Sequence, residues 1–301
     1  MSTHELDAAG IVAPALRASY DACRRRNATH GRTYYLATLL LPPERRPAVH
    51  ALYAFARHAD DIVDTLDPAV SAATKERALD DWAERFRRGD PDDPLLPAVL
   101  DTVDRYGIAP SLFEDFLTSM RMDVTTTAYP TWSDLLGYVH GSAAVIGEQL
   151  LPVLGTVPGM REVATPYARD LGIAFQLANF VRDVGEDLRR GRVYLPVEDL
   201  DRFALTRDDL AAGVVDDRVR RLLAFEVGRA RERFRSAEPG IRLLDPASRD
   251  CVRTAFRLYG GILDAVERAD YRVLDRRVAV SAGRRVRVAL PALLRARRAR
   301  A

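Results

Sequence analysis

Two stretches of the sequence decide its fold class: Val49–Asp64, VHALYAFARHADDIVD, and Leu171–Leu188, LGIAFQLANFVRDVGEDL. Each is apolar around most of a helix, and a helix of that kind is normally buried inside a larger protein. Each also carries several carboxylates, which are rarely buried unless they are paired or bound to a metal. Because these two properties conflict, we expect a compensating group to face the charged side chains.

In the first stretch, the polar side chains share one face of the predicted helix. At about 100° per residue, five of them fall within about 100° of arc. These five are Tyr53, Arg57, Asp60, Asp61 and Asp64.

In the second stretch, Gln176, Asn179, Asp183 and Asp187 form a similar face of about 80° of arc, and Arg182 lies to its side. Carboxylates four residues apart repel each other, and they repel more strongly where water is excluded. Mg²⁺ prefers oxygen ligands and typically binds one or two carboxylates together with water and substrate phosphates. Two such faces opposite each other therefore predict a site for Mg²⁺ and a diphosphate.

An Asp-Asp pair alone is a weak signal, because the chain holds five of them. Asp80-Asp81-x-x-Glu84 even repeats the spacing of the first face. Its surroundings, KERALDDWAERFRR, carry charges in every turn, which is typical of a solvent-exposed amphipathic helix. We therefore predict no metal site there.

The rest of the 301-residue chain favours helix, with frequent Ala, Leu and Arg and no series of alternating strands joined by tight turns. With 48% hydrophobic and 29% charged residues, its composition is that of a soluble globular protein. We predict one all-α domain over residues 1–301. The predicted helices are 12–29, 33–40, 44–66, 72–88, 95–106, 110–122, 132–153, 160–189, 206–212, 216–236, 247–276 and 279–288.

Several function classes find little support. There is no apolar run of 18 residues and no signal-peptide pattern at the start of the chain, and a net charge of +2 is too small to indicate a nucleic-acid partner. Cys23 and Cys251 form neither a disulfide framework nor a zinc site, which fits a cytoplasmic location. A basic tail from about residue 284 holds seven arginines and no acid. It is either a solvated tail or a contact for an anionic membrane surface.

The two faces resemble the signatures of the squalene/phytoene synthase family. The first reads Tyr53-x-x-x-Arg57-x-x-Asp60-Asp61-x-x-Asp64. The second reads Gln176-x-x-Asn179-x-x-Arg182-Asp183-x-x-Glu186-Asp187, followed by Arg190-Gly191-Arg192-x-Tyr194-Leu195-Pro196. The resemblance extends from about His30 to Asp275, nearly the whole chain.

The resemblance implies the all-α isoprenoid synthase fold, a helical bundle around a central cavity. It also implies a prenyltransferase of carotenoid biosynthesis that joins two geranylgeranyl diphosphates head to head. The reaction would pass through a cyclopropylcarbinyl diphosphate to phytoene and release two diphosphates. Mg²⁺, with Mn²⁺ as the alternative, would be held by Asp60, Asp61 and Asp64 on one wall and by Asn179, Asp183 and Asp187 on the other.

The resemblance also assigns roles to other residues. Tyr53, Arg57, Arg182 and Tyr259 would be catalytic. The substrate-binding residues would be Thr33, where the family usually has serine, together with Tyr34, Tyr138, Gln176, Arg192 and Tyr194. The arginines have the planar donor geometry that suits diphosphate oxygens, and aromatic faces favour cations. For a single aromatic residue, core packing is the alternative. The segment Tyr138–Gly147 resembles the small-residue helix of the prenyl pocket, where its glycines could equally serve helix packing.

Three alternatives stay open. Squalene or dehydrosqualene synthesis from farnesyl diphosphate uses the same motifs, since chain length depends on the depth of the pocket. A non-catalytic family member should have lost acids from one face, and both faces are complete here. A nucleic-acid binder would rest on the basic tail alone. We expect no NADPH for phytoene synthesis, and peripheral membrane contact through the tail.

Overall fold

Apolar faces at helical spacing run through nearly the whole chain, and in a computed structural model they assemble into a bundle of α-helices. The structure describes residues 3–65, 67, 69–278, 283, 287, 288 and 291, with the side chains of residues 3, 32 and 33 left aside. Within these residues there is no β-strand, only two isolated bridges. The predicted all-α class is therefore confirmed.

Fourteen α-helices lie within the described residues. They are α1 Thr3–Ala8, α2 Pro14–His30, α3 Arg32–Thr38, α4 Arg46–Val63, α5 Ala72–Arg88, α6 Leu96–Tyr106, α7 Ser111–Thr125, α8 Trp132–Val139, α9 Val145–Leu154, α10 Arg161–Arg189, α11 Val197–Arg202, α12 Arg207–Ala211, α13 Asp217–Ala237 and α14 Pro246–Arg268. A π-helical segment, His140–Ala144, joins α8 to α9, and short 3₁₀ helices cover Pro43–Arg45 and Glu238–Leu243. Across this part of the chain, no helix combines the length and apolar character needed to cross a bilayer.

Most predicted helices match these bounds within a few residues, and three differences have physical causes. The predicted helix 247–276 was too long: α14 ends at Arg268, because Asp270 and Tyr271 adopt positive φ angles of 52° and 57°. The sequence reading missed α1 and α11, which span fewer than two turns and carry no sustained apolar period. Most of the predicted helix 279–288 and of the basic tail lies outside the described residues. The single domain over residues 1–301 stays a prediction.

The two largest of four hydrophobic clusters in the described part of the chain lie on the two sides of a central cavity. One packs Phe55 of α4 against Trp82 of α5 and Phe113 of α7, with ring centroids 5.4 and 5.0 Å from Phe55. The other is built on α8, α10, α13 and α14, where Phe180 stacks on Tyr194 at 4.4 Å. The two acid-bearing helices, α4 and α10, each belong to one cluster, so the core itself places their polar faces.

Glycines allow the helices around the cavity to pack closely. An ideal Cβ on Gly141 would lie 2.3 Å from the carbonyl oxygen of Asp115 in α7, and one on Gly172 would lie 2.3 Å from the carbonyl oxygen of Ala143. A Cβ on Gly147 would lie 2.2 Å from the carbonyl oxygen of Ala168 in α10. The small residues of the segment Tyr138–Gly147 therefore do serve close packing, one of the two interpretations of the sequence.

We expect Gly141→Ala to destabilise the protein by about 1–3 kcal/mol, because the backbone of α7 must move to admit the methyl group. Gly228→Ala in α13 is the matched control, since its Cβ would meet no atom within 4 Å. That change should stabilise by about 0.5–1 kcal/mol, because alanine favours helix over glycine. Urea unfolding of both variants measures the difference, and equal effects would contradict the packing argument.

Candidate active site

A cavity of about 850 Å³ lies between α4 and α10. Its mouth is lined by carboxylates and arginines, and its interior by apolar side chains. All but two of the sixteen site residues predicted from the sequence line this cavity. The exceptions are Thr33, whose side chain lies outside the described residues, and Tyr259, which lies behind two lining residues.

On the α4 side of the mouth, arginines hold two of the three aspartates. Arg57 and Arg26 each place a guanidinium nitrogen 2.5 Å from Asp61. Arg190 and Arg192, which follow α10 in the chain, reach across to Asp64 at 3.1 and 3.0 Å. The charged group therefore combines residues from three separate parts of the chain.

On the α10 side, Asp183 is paired with two arginines. The Arg182 Nε donates to it at 2.8 Å, and the Arg277 Nε lies 3.1 Å away. Arg190 also pairs with Glu186 at 2.9 Å, so one guanidinium joins the two acidic faces. The structure thus brings the two predicted faces together at one end of the cavity.

The carboxylates of Asp60 and Asp187 have no arginine partner, since no ion pair within the described part of the chain involves either of them. Burial raises the pKa of Asp60 to about 7, with further contributions from the negative charges of Asp64 and Asp123. Burial likewise raises the pKa of Asp187 to about 7, reinforced by Asp183 and Glu186. Two unpaired carboxylates thus lie in surroundings that oppose their ionisation.

These features suit a hard divalent cation, which prefers carboxylate and amide oxygens and would lower the electrostatic cost of ionising Asp60 and Asp187. Asn179 of α10 lines the same cavity. Across the described residues, however, no three His, Cys, Asp or Glu side chains are close enough to hold a metal on their own. The mouth nevertheless offers carboxylate and amide oxygens, the donor types that a hard divalent cation prefers.

A buried carboxylate beside the mouth was missed in the sequence. The two oxygens of Asp123 accept hydrogen bonds from the hydroxyls of Tyr138 at 2.6 Å and Tyr194 at 2.8 Å. Arg192 donates to the backbone carbonyl of Asp123 at 3.0 Å while it pairs with Asp64. The hydroxyls of Tyr138 and Tyr194 are thus both used in hydrogen bonds to Asp123, which fix the orientation of the two rings in the cavity wall. The sequence feature that could have revealed Asp123 is the position of this aspartate on the buried face of α7.

Tyrosines and Phe175 line the wall below the mouth. The Tyr34 ring lies 6.2 Å from Tyr53 and 5.4 Å from Tyr259, and Tyr259 stacks on Phe175 at 4.2 Å. Burial raises the pKa of Tyr53 to about 12, and it raises those of Tyr34 and Tyr259 as well. All three phenols therefore stay neutral near pH 7, and their faces can stabilise a nearby cation.

The far end of the cavity is apolar. The segment Tyr138–Gly147, which resembles the small-residue helix of the prenyl pocket, lines the cavity through Ala143, Ile146 and Gly147. Gln176, the first residue of the polar face of α10, lines the cavity, and so does Cys251 of α14. The apolar lining is contributed by α4, α9, α10, α14 and the 3₁₀ helix after α13. It includes Val49, Leu52, Ile146, Leu150, Leu151, Leu154, Ala164, Ala168, Leu171, Ile241, Leu244, Val252 and Ala255.

The squalene/phytoene synthase family model matches residues 27–284. This chain belongs to the squalene/phytoene synthase family. It is 40% identical over 276 residues to a 15-cis-phytoene synthase of Synechocystis, covering 87% of this chain and 80% of that protein. It is also 40% identical over 298 residues to a phytoene synthase of Arthrospira platensis, covering 94% and 96%.

Solved structures of family members have the same fold. A dehydrosqualene synthase crystallised with a ligand superposes with a TM-score of 0.82 at 28% identity, covering 94% of this chain and 98% of that one. A squalene synthase of Alicyclobacillus acidocaldarius gives 0.78 at 29% identity, covering 88% and 98%. The predicted isoprenoid synthase fold and the predicted family are both confirmed.

We expect the stability of the metal-free protein to fall between pH 5 and pH 8. Carboxyl groups with a folded pKa near 7 and an unfolded pKa near 4 bind more protons in the folded state within this window. Their stabilisation is complete below the unfolded pKa and is lost as the pH rises through the folded value. Asp60→Asn removes one of these groups. Between pH 5 and pH 8, the free energy of unfolding of this variant should therefore fall less than that of the wild type.

Urea unfolding in EDTA at both pH values provides the measurement. Asp81→Asn is the control, because Asp81 is an exposed carboxylate on α5 and should leave the pH dependence unchanged. Parallel curves for the wild type and Asp60→Asn would contradict the expectation.

Proposed function

We propose that this protein joins two geranylgeranyl diphosphates head to head, through a cyclopropylcarbinyl diphosphate, and forms phytoene for carotenoid biosynthesis. The observation that carries the proposal is one cavity with an acidic, arginine-rich mouth and a long apolar interior. The similarity to the Synechocystis and Arthrospira phytoene synthases, each at 40% identity, supports it.

The mouth would hold the diphosphates. Asp60, Asp61, Asp64, Asn179, Asp183 and Asp187 would hold Mg²⁺, or Mn²⁺, which would supply positive charge to the departing diphosphates. Arg57, Arg182 and Arg192 would bind diphosphate oxygens through their planar donors. These guanidiniums pair with the aspartates of the mouth. The ion pairs would hold the arginines beside the diphosphates, where negative charge develops as each C–O bond breaks.

The interior would carry the hydrocarbon chemistry. The first C–O bond breaks with its electron pair leaving on oxygen, the second substrate's double bond attacks the allylic cation, and loss of a proton closes the cyclopropane. The second C–O bond then breaks, the cation rearranges, and loss of another proton forms the central double bond. The apolar walls keep water from these cations, and the faces of Tyr34, Tyr53 and Phe175 favour positive charge.

A C30 product from farnesyl diphosphate is the second candidate, favoured by the structural similarity to a dehydrosqualene synthase and a squalene synthase. The two candidates share the mouth and differ in how far the prenyl tails extend into the apolar end. Neither phytoene nor dehydrosqualene formation requires NADPH, whereas squalene formation does.

Purified protein with Mg²⁺ and geranylgeranyl diphosphate, without NADPH, should yield a C40 hydrocarbon identified by mass spectrometry. Asp183→Ala should lower its yield at least about 100-fold, because the α10 face loses a charged oxygen donor. Asp81→Ala, an exposed carboxylate on α5, should retain wild-type yield. A C30 product from farnesyl diphosphate alone would establish the second candidate. No product from either substrate with folded protein would overturn both.

We also place the protein in the cytoplasm. We propose that it contacts membranes loosely there, because its proposed product is a hydrocarbon and its last 18 residues hold seven arginines. The full-length protein should float with vesicles containing anionic lipid, and high salt should release it. A chain ending at Ala282 should float less. Equal flotation of both chains, or binding insensitive to salt, would contradict a role for the tail.

A further inference from the structure

The cavity-lining side of α10 forms a continuous stripe along the helix. Lining residues occur in every turn between Ala164 and Asp187. The stretch from Asn179 to Asp187 carries polar groups of the mouth, and the stretch from Gln176 back to Ala164 continues into the apolar interior. At a rise of about 1.5 Å per residue, this inner stretch is about 18 Å long. α10 therefore spans the whole depth of the cavity.

A small hydrophobic cluster closes the far end of the cavity at the start of α10. All five of its buried residues line the cavity. The helix begins at Arg161, and Val163 beside the cluster is 52% exposed, so the opposite face of this turn is the surface of the protein. The cavity thus ends at this turn. The five residues are Leu151 of α9, Ala164 of α10, Ile241 of the 3₁₀ helix after α13, Leu244, and Val252 of α14.

Ala164 has the smallest side chain of this cluster, since the other four members are branched aliphatic residues. At about 100° per residue, it lies on the same face of α10 as Ala168, Leu171 and Phe175, which line the cavity with it. Each of the two alanines presents only a methyl group to the cavity. The far end is therefore wider beside Ala164 than it would be beside a leucine or a valine.

The length of the inner stretch distinguishes the two candidate substrates. An extended chain of single bonds advances about 1.2 Å per bond, so a geranylgeranyl tail spans about 18 Å and a farnesyl tail about 13 Å. With the diphosphate in the mouth, the first carbon of the tail lies near the level of Gln176. A geranylgeranyl tail along α10 then reaches Ala164, whereas a farnesyl tail ends near the level of Tyr167. Only the fourth isoprene unit occupies the space beside Ala164.

We propose that Ala164 selects geranylgeranyl over farnesyl diphosphate, because its small side chain leaves room for the fourth isoprene unit. The inference rests on the proposed function and names the residue that sets its substrate class. A farnesyl tail leaves this apolar space empty, so the surrounding side chains lose their contacts on one side. One methylene in an apolar pocket already changes specificity about 10- to 200-fold. The wild type should therefore prefer geranylgeranyl diphosphate at least about 100-fold in kcat/KM.

The test measures kcat/KM for both substrates, with Mg²⁺, in three leucine variants. Ala164→Leu fills the space of the fourth unit, so the value for geranylgeranyl diphosphate should fall at least about 30-fold and that for farnesyl diphosphate change less than about threefold. Ala168→Leu lies one turn nearer the mouth, where both tails pass, and should lower both values. Val163→Leu changes the exposed face of the same turn and should lower neither.

Thermal unfolding separates tail selection from damage to the fold. Without ligand, Ala164→Leu should melt at or above the wild-type temperature, because the new side chain fills existing space. With Mg²⁺, unreactive geranylgeranyl thiodiphosphate should raise the melting temperature of the wild type more than farnesyl thiodiphosphate does. Ala164→Leu should lose this difference. Ala164→Val, with one carbon fewer, should show the same changes at smaller amplitude and serves where leucine disturbs folding.

Three outcomes would overturn the inference. In the first, both Ala164 variants use geranylgeranyl diphosphate as well as the wild type does. In the second, they lose activity with both substrates equally. In the third, the wild type itself prefers farnesyl diphosphate, which leaves the head-to-head chemistry in place. If instead the wild type forms no hydrocarbon from either prenyl diphosphate, the proposed function itself fails, which is a distinguishable result.

Discussion

Repulsion among carboxylates at the mouth of the cavity is the constraint on which the rest of the structure depends. Asp60 of α4 and Asp64, which caps its C-terminus, face Asp183 and Asp187 of α10. Burial strengthens the repulsion between these charges. Arginines from α2, α4, α10 and the segments after α10 and α14 offset part of it. Burial, with the remaining repulsion added to it, raises the pKa values of Asp60 and Asp187.

The bundle keeps this charged end separate from an apolar end. Both ends lie on the same helices, and close packing at Gly147 and Gly172 holds α10 against α9 and the π-helical segment. Two polar groups of the cavity wall, the hydroxyls of Tyr138 and Tyr194, both donate to Asp123.

Much of this arrangement was accessible from the sequence, and the rest was not for physical reasons. Periodicity placed α4 and α10 and the side chains that share a face, because helical geometry is local. Asp123 and Arg277 escaped notice, because their roles depend on contacts between distant parts of the chain. Arginine makes up nearly all of the 45 basic residues, so composition could not single out Arg277. The end of α14 at Arg268 depends on two left-handed residues that no helix-breaking residue announces.

The lining of α10 has a consequence for how such proteins diversify. Asp183 and Ala164 lie on the same helix, 19 residues apart, which at about 1.5 Å per residue places them more than five turns from each other. On the proposed function, a substitution near Ala164 would alter the space for a prenyl tail and leave the carboxylates of the mouth in place. Product size and bond-forming chemistry can therefore change independently in evolution, because they depend on opposite ends of one helix. Paralogues that make different hydrocarbons need to share only one end of the cavity.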